Sequence, residues 1–216
     1  MIMQAYSKNK TTSSRNSSGE SAGVPSVHWD DFKNMNMDEL CERSLAKVNP
    51  AGELLLPFFA KELQVDFEKR CIRIFIRDNW EKVDHPRLEL LTLVYLLNVS
   101  RDHPVQEMIS VRDLKDSHFF QGPHAVKTRP LLNLYGQHPG AFRSAAQKLG
   151  GKAMDMADTA FELMPFPKIP IYYLLWEGDD EFEANLSILF DRSIECHLAA
   201  DAIWGLINLV SDFLMK

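Results

Sequence analysis

Hydrophobic and polar residues alternate along the chain between residues 65 and 77. Val65 and Phe67, and then the three isoleucines of residues 72–76, occupy every second position, with the polar run Glu68-Lys69-Arg70 between them. A period of two is that of a β-strand whose side chains face core and solvent in turn. The pattern therefore predicts a hairpin with one solvent-exposed face.

Helical signals occur on both sides of this hairpin. Asp38 is a suitable N-cap for a helix that runs to about Val48. Pro57 in LLLPFFAKEL is tolerated in a first helical turn, so a short helix after it is expected. Amphipathic segments predict two more helices over residues 129–135 and 139–149, the second closed by two glycines.

Two longer helices should form the centre of the molecule. Asp84 before Pro86 starts the first, and its sequence RLELLTLVYLLNV is apolar nearly all round, which predicts a buried helix. Residues 199–214 predict the second, a C-terminal amphipathic helix. Its polar residues Asp201, Asn208 and Asp212 are expected to face outward.

Short apolar runs dominate the C-terminal half. Residues 108–111 predict a short strand, and residues 161–163, 169–176 and 186–190 predict three consecutive strands joined as an antiparallel meander. Strands and helices do not alternate regularly, so the expected class is α+β. We predict an antiparallel sheet, made of the N-terminal hairpin and the C-terminal meander, packed with the central apolar helix and the C-terminal amphipathic helix.

Composition limits the classes of function. The chain has 216 residues, a formal charge of −6 and 45% hydrophobic residues, typical of a soluble globular protein. The acidic balance argues against nucleic-acid binding, and no apolar run approaches the length of a membrane span. Residues 1–26 lack the apolar side chains that would offset the entropy of ordering, which predicts a disordered tail before one domain over residues 27–216.

The cysteines agree with a cytoplasmic location. Cys41, Cys71 and Cys196 are odd in number, far apart and form no CxxC pair, and no export signal begins the sequence. The sequence also has no GxSxG, Walker A, GxGxxG or HExxH motif. These observations identify no cofactor and no known catalytic signature.

The segment HFFQGPHAVKTR is the first candidate site. His118, His124, Lys127 and Arg129 lie close together in sequence, beside a glycine–proline pair. The imidazoles could ligate a metal, or the cations could bind a carboxylate or a phosphate. Alternatively, this is a structural turn in which His124 bonds a backbone carbonyl, since the six-residue spacing of the histidines matches no helical zinc motif.

Acidic residues near the C-terminus are the second candidate. Asp179, Asp180 and Glu181 are oxygen ligands of the kind that Mg²⁺ or Ca²⁺ binds, but their spacing is not that of an EF-hand, and a solvated turn is the alternative. Asp191 ends an apolar run, and a buried carboxylate needs a partner. We expect an ion pair with Arg129 or Arg101, or else a catalytic acid.

Five segments carry a resemblance to a known family. They are LLLPFFAKELQVDF, LLTLVYLLNVS, MISVRDLKDSHFFQGPHAVKTRPLLNLYG, AFRSAAQKLGG and IPIYYLLWEGDDEFEANLSILFDRSIECHL, which together cover almost all of residues 50–216. The chain resembles the bacterial and archaeal family of domain of unknown function 3786. The resemblance implies no activity. Some relatives carry a cysteine-rich iron–sulfur module, but this chain has no cysteine before Cys41.

Three hypotheses about function follow. Because similar proteins occur mainly in anaerobes, the first is a ligand-binding or accessory protein of anaerobic metabolism that binds a small molecule or a metallocofactor. The second is a protein–protein interaction module without a small ligand. The third is an enzyme of unrecognised type that uses His124 with Asp191 or Glu181.

Overall fold

The computed structural model describes residues 26–216, and the tail predicted for residues 1–26 lies outside them except for Ser26. The helices in chain order are α1 Ser26–Asp30, α2 Met37–Ser44, α3 Pro86–Asn98, α4 Arg129–Tyr135, α5 Pro139–Lys148, α6 Ile194–His197 and α7 Ala200–Leu214. The strands are β1 Lys47–Val48, β2 Leu54–Phe58, β3 Lys61–Asp66, β4 Cys71–Ile76, β5 Asn79–Lys82, β6 Met108–Ile109, β7 Lys152–Met154, β8 Thr159–Leu163, β9 Ile171–Trp176 and β10 Asn185–Asp191. Within this range no helix is both long and apolar enough to cross a membrane.

The first sheet contains five antiparallel strands in the order β1-β2-β3-β4-β5. The hairpin predicted from the alternating pattern is confirmed as β3 and β4, with Val65 opposite Ile72 and Leu63 opposite Ile74. These side chains face the core because apolar residues of both strands share one side of the sheet.

The short helix expected after Pro57 is wrong, because this segment forms β2 and its turn into β3. Pro57 lies opposite Glu62 in the β2–β3 pair. On the other side, β1 pairs only with Leu54 and Leu55, so no strand lies beside Pro57 there. A proline is tolerated at such an edge position because its missing N–H has no ladder partner to lose.

The second sheet also contains five antiparallel strands, in the order β6-β10-β9-β8-β7. The predicted meander is confirmed as β8, β9 and β10, and the predicted short strand as β6. The hairpin and the meander therefore belong to two different sheets. The α+β class is confirmed, with two open antiparallel sheets and helices packed against them.

One continuous hydrophobic core joins both sheets to α3 and α7. α3 is buried nearly all round, as its sequence predicts, and packs along α7. Phe58 of β2 connects the parts, since its ring lies 5.3 Å from Phe213 of α7 and 5.5 Å from Phe166, which precedes β9.

Three details at helix ends differ from the sequence prediction. α2 is capped by Asn36 rather than Asp38, and it ends at Ser44 because Leu45 adopts a positive φ of 59°. The cap of α3 is His85 rather than Asp84.

Asp201 is only 5% exposed, contrary to its predicted outward position. A 3₁₀ turn at Ser117–Phe119 packs against α7, and helix periodicity cannot show such a neighbour.

Tyr95 of α3 ties two loops to the core. Its single hydroxyl proton is shared between the carbonyl oxygens of Ser44, at 3.0 Å, and Pro167, at 2.7 Å. Replacing Tyr95 by phenylalanine is expected to lower the free energy of unfolding by about 1–2 kcal/mol, since a buried carbonyl then loses its donor. Urea unfolding followed by circular dichroism measures this.

The matched control is Tyr172→Phe on the outer face of the second sheet. Tyr172 is also buried, but its hydroxyl makes no hydrogen bond within residues 28–216. We expect a change of less than about 0.5 kcal/mol there. An equal loss in both variants would contradict a specific role for the Tyr95 hydroxyl.

Candidate ligand-binding site

A cavity of about 470 Å³ opens between the first sheet and the ends of three helices. This volume lies in the usual range of small-molecule pockets, about 300–1,000 Å³. Its wall is apolar and its rim is charged. The wall is formed by Ile74, Ile76, Val83, Leu88, Leu149 and Phe213.

The sequence builds one side of this cavity from a single continuous segment. β4 carries Ile74 and Ile76, and a two-residue turn at Arg77 and Asp78 leads into β5. Both turn residues have positive φ, 50° and 62°, which matches the twist of the two strands. β5 then leads through Val83 directly into the start of α3, which places strand and helix N-terminus side by side.

His85 lies at the junction of strand and helix. Its Nδ1 accepts the backbone N–H of Leu88 at 3.2 Å and so caps α3. Burial, together with the cations Lys216 and Arg87, lowers the pKa of His85 below its usual value. The ring is therefore neutral at physiological pH, and with Nδ1 acting as acceptor its proton is on Nε2.

The opposite side of the cavity comes from α5 and from the end of α7. Phe213 stacks on His85 with ring centroids 6.1 Å apart, and the Lys216 ammonium lies 4.5 Å from the centre of the Phe213 ring. An ion pair between Arg87 and Asp212 joins the start of α3 to the end of α7. These contacts hold the two helix ends that line the cavity next to each other.

The glycine–proline loop predicted as a site lies elsewhere. His124 stacks on Phe119 with centroids 4.4 Å apart and meets the Trp204 ring edge-on at 5.3 Å. The loop is thus attached to α7 through aromatic rings. His118, Lys127 and Arg129 are exposed, and none of the four candidates lines the 470 Å³ cavity.

The predicted ion pair of Asp191 with Arg129 or Arg101 is wrong. Arg101 bonds Glu42 at 2.9 Å, and Asp191 has no ion pair within residues 28–216. Asp191 is completely buried and accepts four hydrogen bonds of 2.6–3.0 Å instead. The donors are the backbone N–H groups of Val105, Gln106 and Ser193 and the hydroxyl of Ser193.

These bonds determine the ionisation of Asp191. Burial raises the pKa of the carboxyl, but the four hydrogen bonds outweigh burial, so the pKa is lower than usual. The carboxylate holds the segment before β6 against the end of β10. Because all four hydrogen bonds that Asp191 accepts come from the protein itself, the carboxylate has a structural role.

The acidic turn forms a shallow depression of about 290 Å³ apart from the first cavity. Asp179 accepts the backbone N–H groups of Glu181 and Phe182 at 2.8 and 2.7 Å, and these bonds lower its pKa. Asp180 and Glu181 are exposed. The part of the chain that the structure describes contains no group of three or more His, Cys, Asp or Glu that could hold a metal ion.

The geometry gives no support to an enzyme that pairs His124 with an acid. His124 lies in an aromatic stack, and the oxygens of Asp191 are used by neighbouring donors. No hydrogen bond or ion pair connects His124 to Asp191 or Glu181 among the described residues.

A further polar cluster has the composition of a catalytic triad but not its order. Ser100 Oγ lies 3.2 Å from His197 Nδ1 and donates to Asp102 at 2.8 Å. In a triad the carboxylate bonds the imidazole and leaves the other ring nitrogen for the serine. Here the carboxylate bonds the serine, and His197 Nε2 is buried without a partner among the described residues. The cluster therefore cannot activate Ser100 in that manner.

The residues that sequence reasoning missed are those around the cavity. Its lysines and apolar residues come from separate segments between residues 61 and 216, so no local motif joins them. One local signal existed, namely the polar pair Asp84-His85 before Pro86, which marks a helix N-terminus at the end of a strand.

The fold and cavity define a two-sheet α+β protein with a ligand-sized pocket. The family model of Domain of unknown function (DUF3786) matches residues 36–212. The chain belongs to this family, which confirms the resemblance seen in the sequence. No curated protein matches significantly, and no solved structure does.

Proposed function

We propose that this protein binds a small organic molecule in the cavity between the first sheet and the ends of α3, α5 and α7. The observation that supports this proposal best is the cavity itself. It combines a ligand-sized volume of about 470 Å³ with an apolar wall, as small-molecule sites do. An apolar surface of this kind gains free energy when a ligand removes it from water.

A narrower version of the proposal is an accessory protein of metallocofactor metabolism in anaerobes. The cavity residues favour an organic ligand over a directly bound metal. His85 is the only imidazole among its lining residues, no cysteine is present there, and the carboxylates Glu81 and Asp84 are exposed at the rim. A metallocofactor would therefore be bound here through its organic substituents.

Filling the cavity should weaken binding. Ala145 of α5 lines the cavity and is half-buried, so Ala145→Phe places an aromatic ring in the space. We expect this variant to weaken binding of N-phenyl-1-naphthylamine, an uncharged apolar probe that fluoresces in dry sites, by at least about ten-fold. Titration of the full chain with the probe measures this.

Ala141→Phe is the matched control, since Ala141 lies on the same helix but is exposed and outside the cavity. It should bind the probe as the unmodified chain does. Absence of saturable probe binding to the unmodified chain, or equal weakening by both variants, would overturn the proposal.

A further inference from the structure

The rim of the cavity carries an excess of positive charge. Three lysine side chains from separate parts of the chain lie around it, against the side-chain carboxylates of Glu81 and Asp84. The lysines are Lys61, Lys148 and Lys216. Lys82 also belongs to the lining, but it lies opposite Arg73 in the β4–β5 pair, on the other face of the sheet from Ile74. The whole chain has a formal charge of −6, so this local excess is opposite in sign to the rest of the protein.

None of these lysines forms an ion pair within residues 28–216. The neighbouring Arg87 differs, since Asp212 neutralises it. Three ammonium groups around a concave apolar surface produce a positive potential that the low-dielectric wall concentrates. Such a potential attracts anions and disfavours cations.

A neutral donor lies deeper, where the rim meets the apolar wall. His85 has its Nδ1 occupied by the Leu88 N–H, so its Nε2–H is available as a donor. No group of the described residues accepts from this nitrogen. The N-terminus of α3 at Pro86 adds a positive partial charge on the same side.

Polar and apolar features are separated within the cavity. Phe213 marks the boundary, with the Lys216 ammonium above its ring and the His85 ring stacked beside it. The wall behind it consists of aliphatic side chains such as Ile74 and Leu88. A ligand that matches both parts needs an anionic head and an apolar body.

Resting on the proposed binding function, we propose that the ligand is an amphipathic anion. Its carboxylate or phosphate head contacts His85 and the surrounding lysines, and its apolar body lies against the wall formed by β4, α3 and Phe213. This assigns a ligand class to the cavity.

The test compares ligands with the same apolar body and different heads. Octanoate, octyl phosphate and uncharged 1-octanol each compete with N-phenyl-1-naphthylamine on the full chain at low ionic strength. We expect at least one anion to bind about ten-fold more tightly than 1-octanol, as two partly exposed charge contacts would give. Added salt should reduce this preference, because exposed charges are screened.

Two double variants, each of which removes two lysine charges, test where the anionic head of the ligand binds. Lys148→Gln with Lys216→Gln should remove the anion preference, measured as the ratio of the octanoate or octyl phosphate affinity to the 1-octanol affinity. The matched control, Lys47→Gln with Lys152→Gln, removes the same charge from exposed positions outside the cavity. His85→Asn should also weaken anion binding while keeping α3 capped, because asparagine is a good N-cap.

The outcomes separate the two proposals. Tighter binding of octanoate or of octyl phosphate, lost only in the cavity variants, supports the anion class and identifies the preferred head. Equal binding of 1-octanol and both anions, with the probe displaced, overturns the anion class and leaves the binding function intact. Failure of the probe to bind at all overturns the binding function and this inference with it.

Discussion

Replacing Asp191 by alanine is expected to lower the free energy of unfolding by about 3–5 kcal/mol, the largest effect of any single change proposed for this chain. The substitution leaves three backbone N–H groups and the Ser193 hydroxyl without their acceptor. Two of those N–H groups belong to the segment that leads into β6, so this edge strand should loosen as well. Urea unfolding followed by circular dichroism measures the loss.

Asp191→Asn provides a graded comparison. The amide oxygen keeps one acceptor, but its NH₂ group faces a backbone donor, so we expect an intermediate loss of about 2 kcal/mol. Asp180→Ala is the control, because this carboxylate is exposed in the acidic turn and its removal should change stability by less than about 0.5 kcal/mol. A loss at Asp191 no larger than at Asp180 would contradict the structural role of the buried carboxylate.

The second large effect is a dependence of stability on pH that comes from His197. Burial, with the nearby Lys168 ammonium, lowers the pKa of His197 from 6.5 to about 4. The folded protein binds no proton there between these values, whereas the unfolded chain does. The free energy of unfolding should therefore fall by up to about 3 kcal/mol as pH decreases from 6.5 to about 4.

The contacts of His197 explain why its protonation is costly. The ring is 1% exposed, and its Nδ1 accepts the backbone N–H of Ser100 at 3.2 Å. A proton on Nδ1 would break that bond and place a second cation beside Lys168, which donates to the Ser100 carbonyl. Asp102 and Asp191 oppose this effect, and the exposed His103 adds to it.

His197→Asn removes the titration and keeps an acceptor in the position of Nδ1. The variant is expected to lose less stability than the unmodified chain between neutral pH and pH about 4, whatever its absolute stability is. His118→Asn removes an exposed imidazole and should keep the original pH dependence. If the free energy of unfolding of all three proteins changes with pH in the same way over this range, His197 is not responsible for the pH dependence.

Local sequence pattern predicted most of the elements because their signals lie within a few residues. The period-two run that became β3 and β4, the apolar sequence of α3 and the amphipathic pattern of α7 each reflect which side of an element is buried. The errors arose where a neighbour overrode a local preference. Pro57 was compatible with a helix, yet pairing with β3 made it part of a strand.

The candidate site was the least predictable part, since clustering in sequence is not clustering in space. His124 and Lys127 are close together in the chain, but one lies in an aromatic stack and the other is exposed. Asp191 was correctly expected to need a partner, but three backbone N–H groups and the Ser193 hydroxyl supply it rather than arginine. Backbone groups have no sequence signature, so only the folded chain could identify them.

The sequence by itself determined the family, the α+β class and most strands and helices, because these depend on side-chain order over short distances. The tertiary structure alone decided that the hairpin and the meander lie in separate sheets and that one core joins them. It also decided where a ligand fits. Lys61 and Lys216 lie far apart in the sequence, and only the packing of α3, α5 and α7 against the first sheet brings them to one cavity.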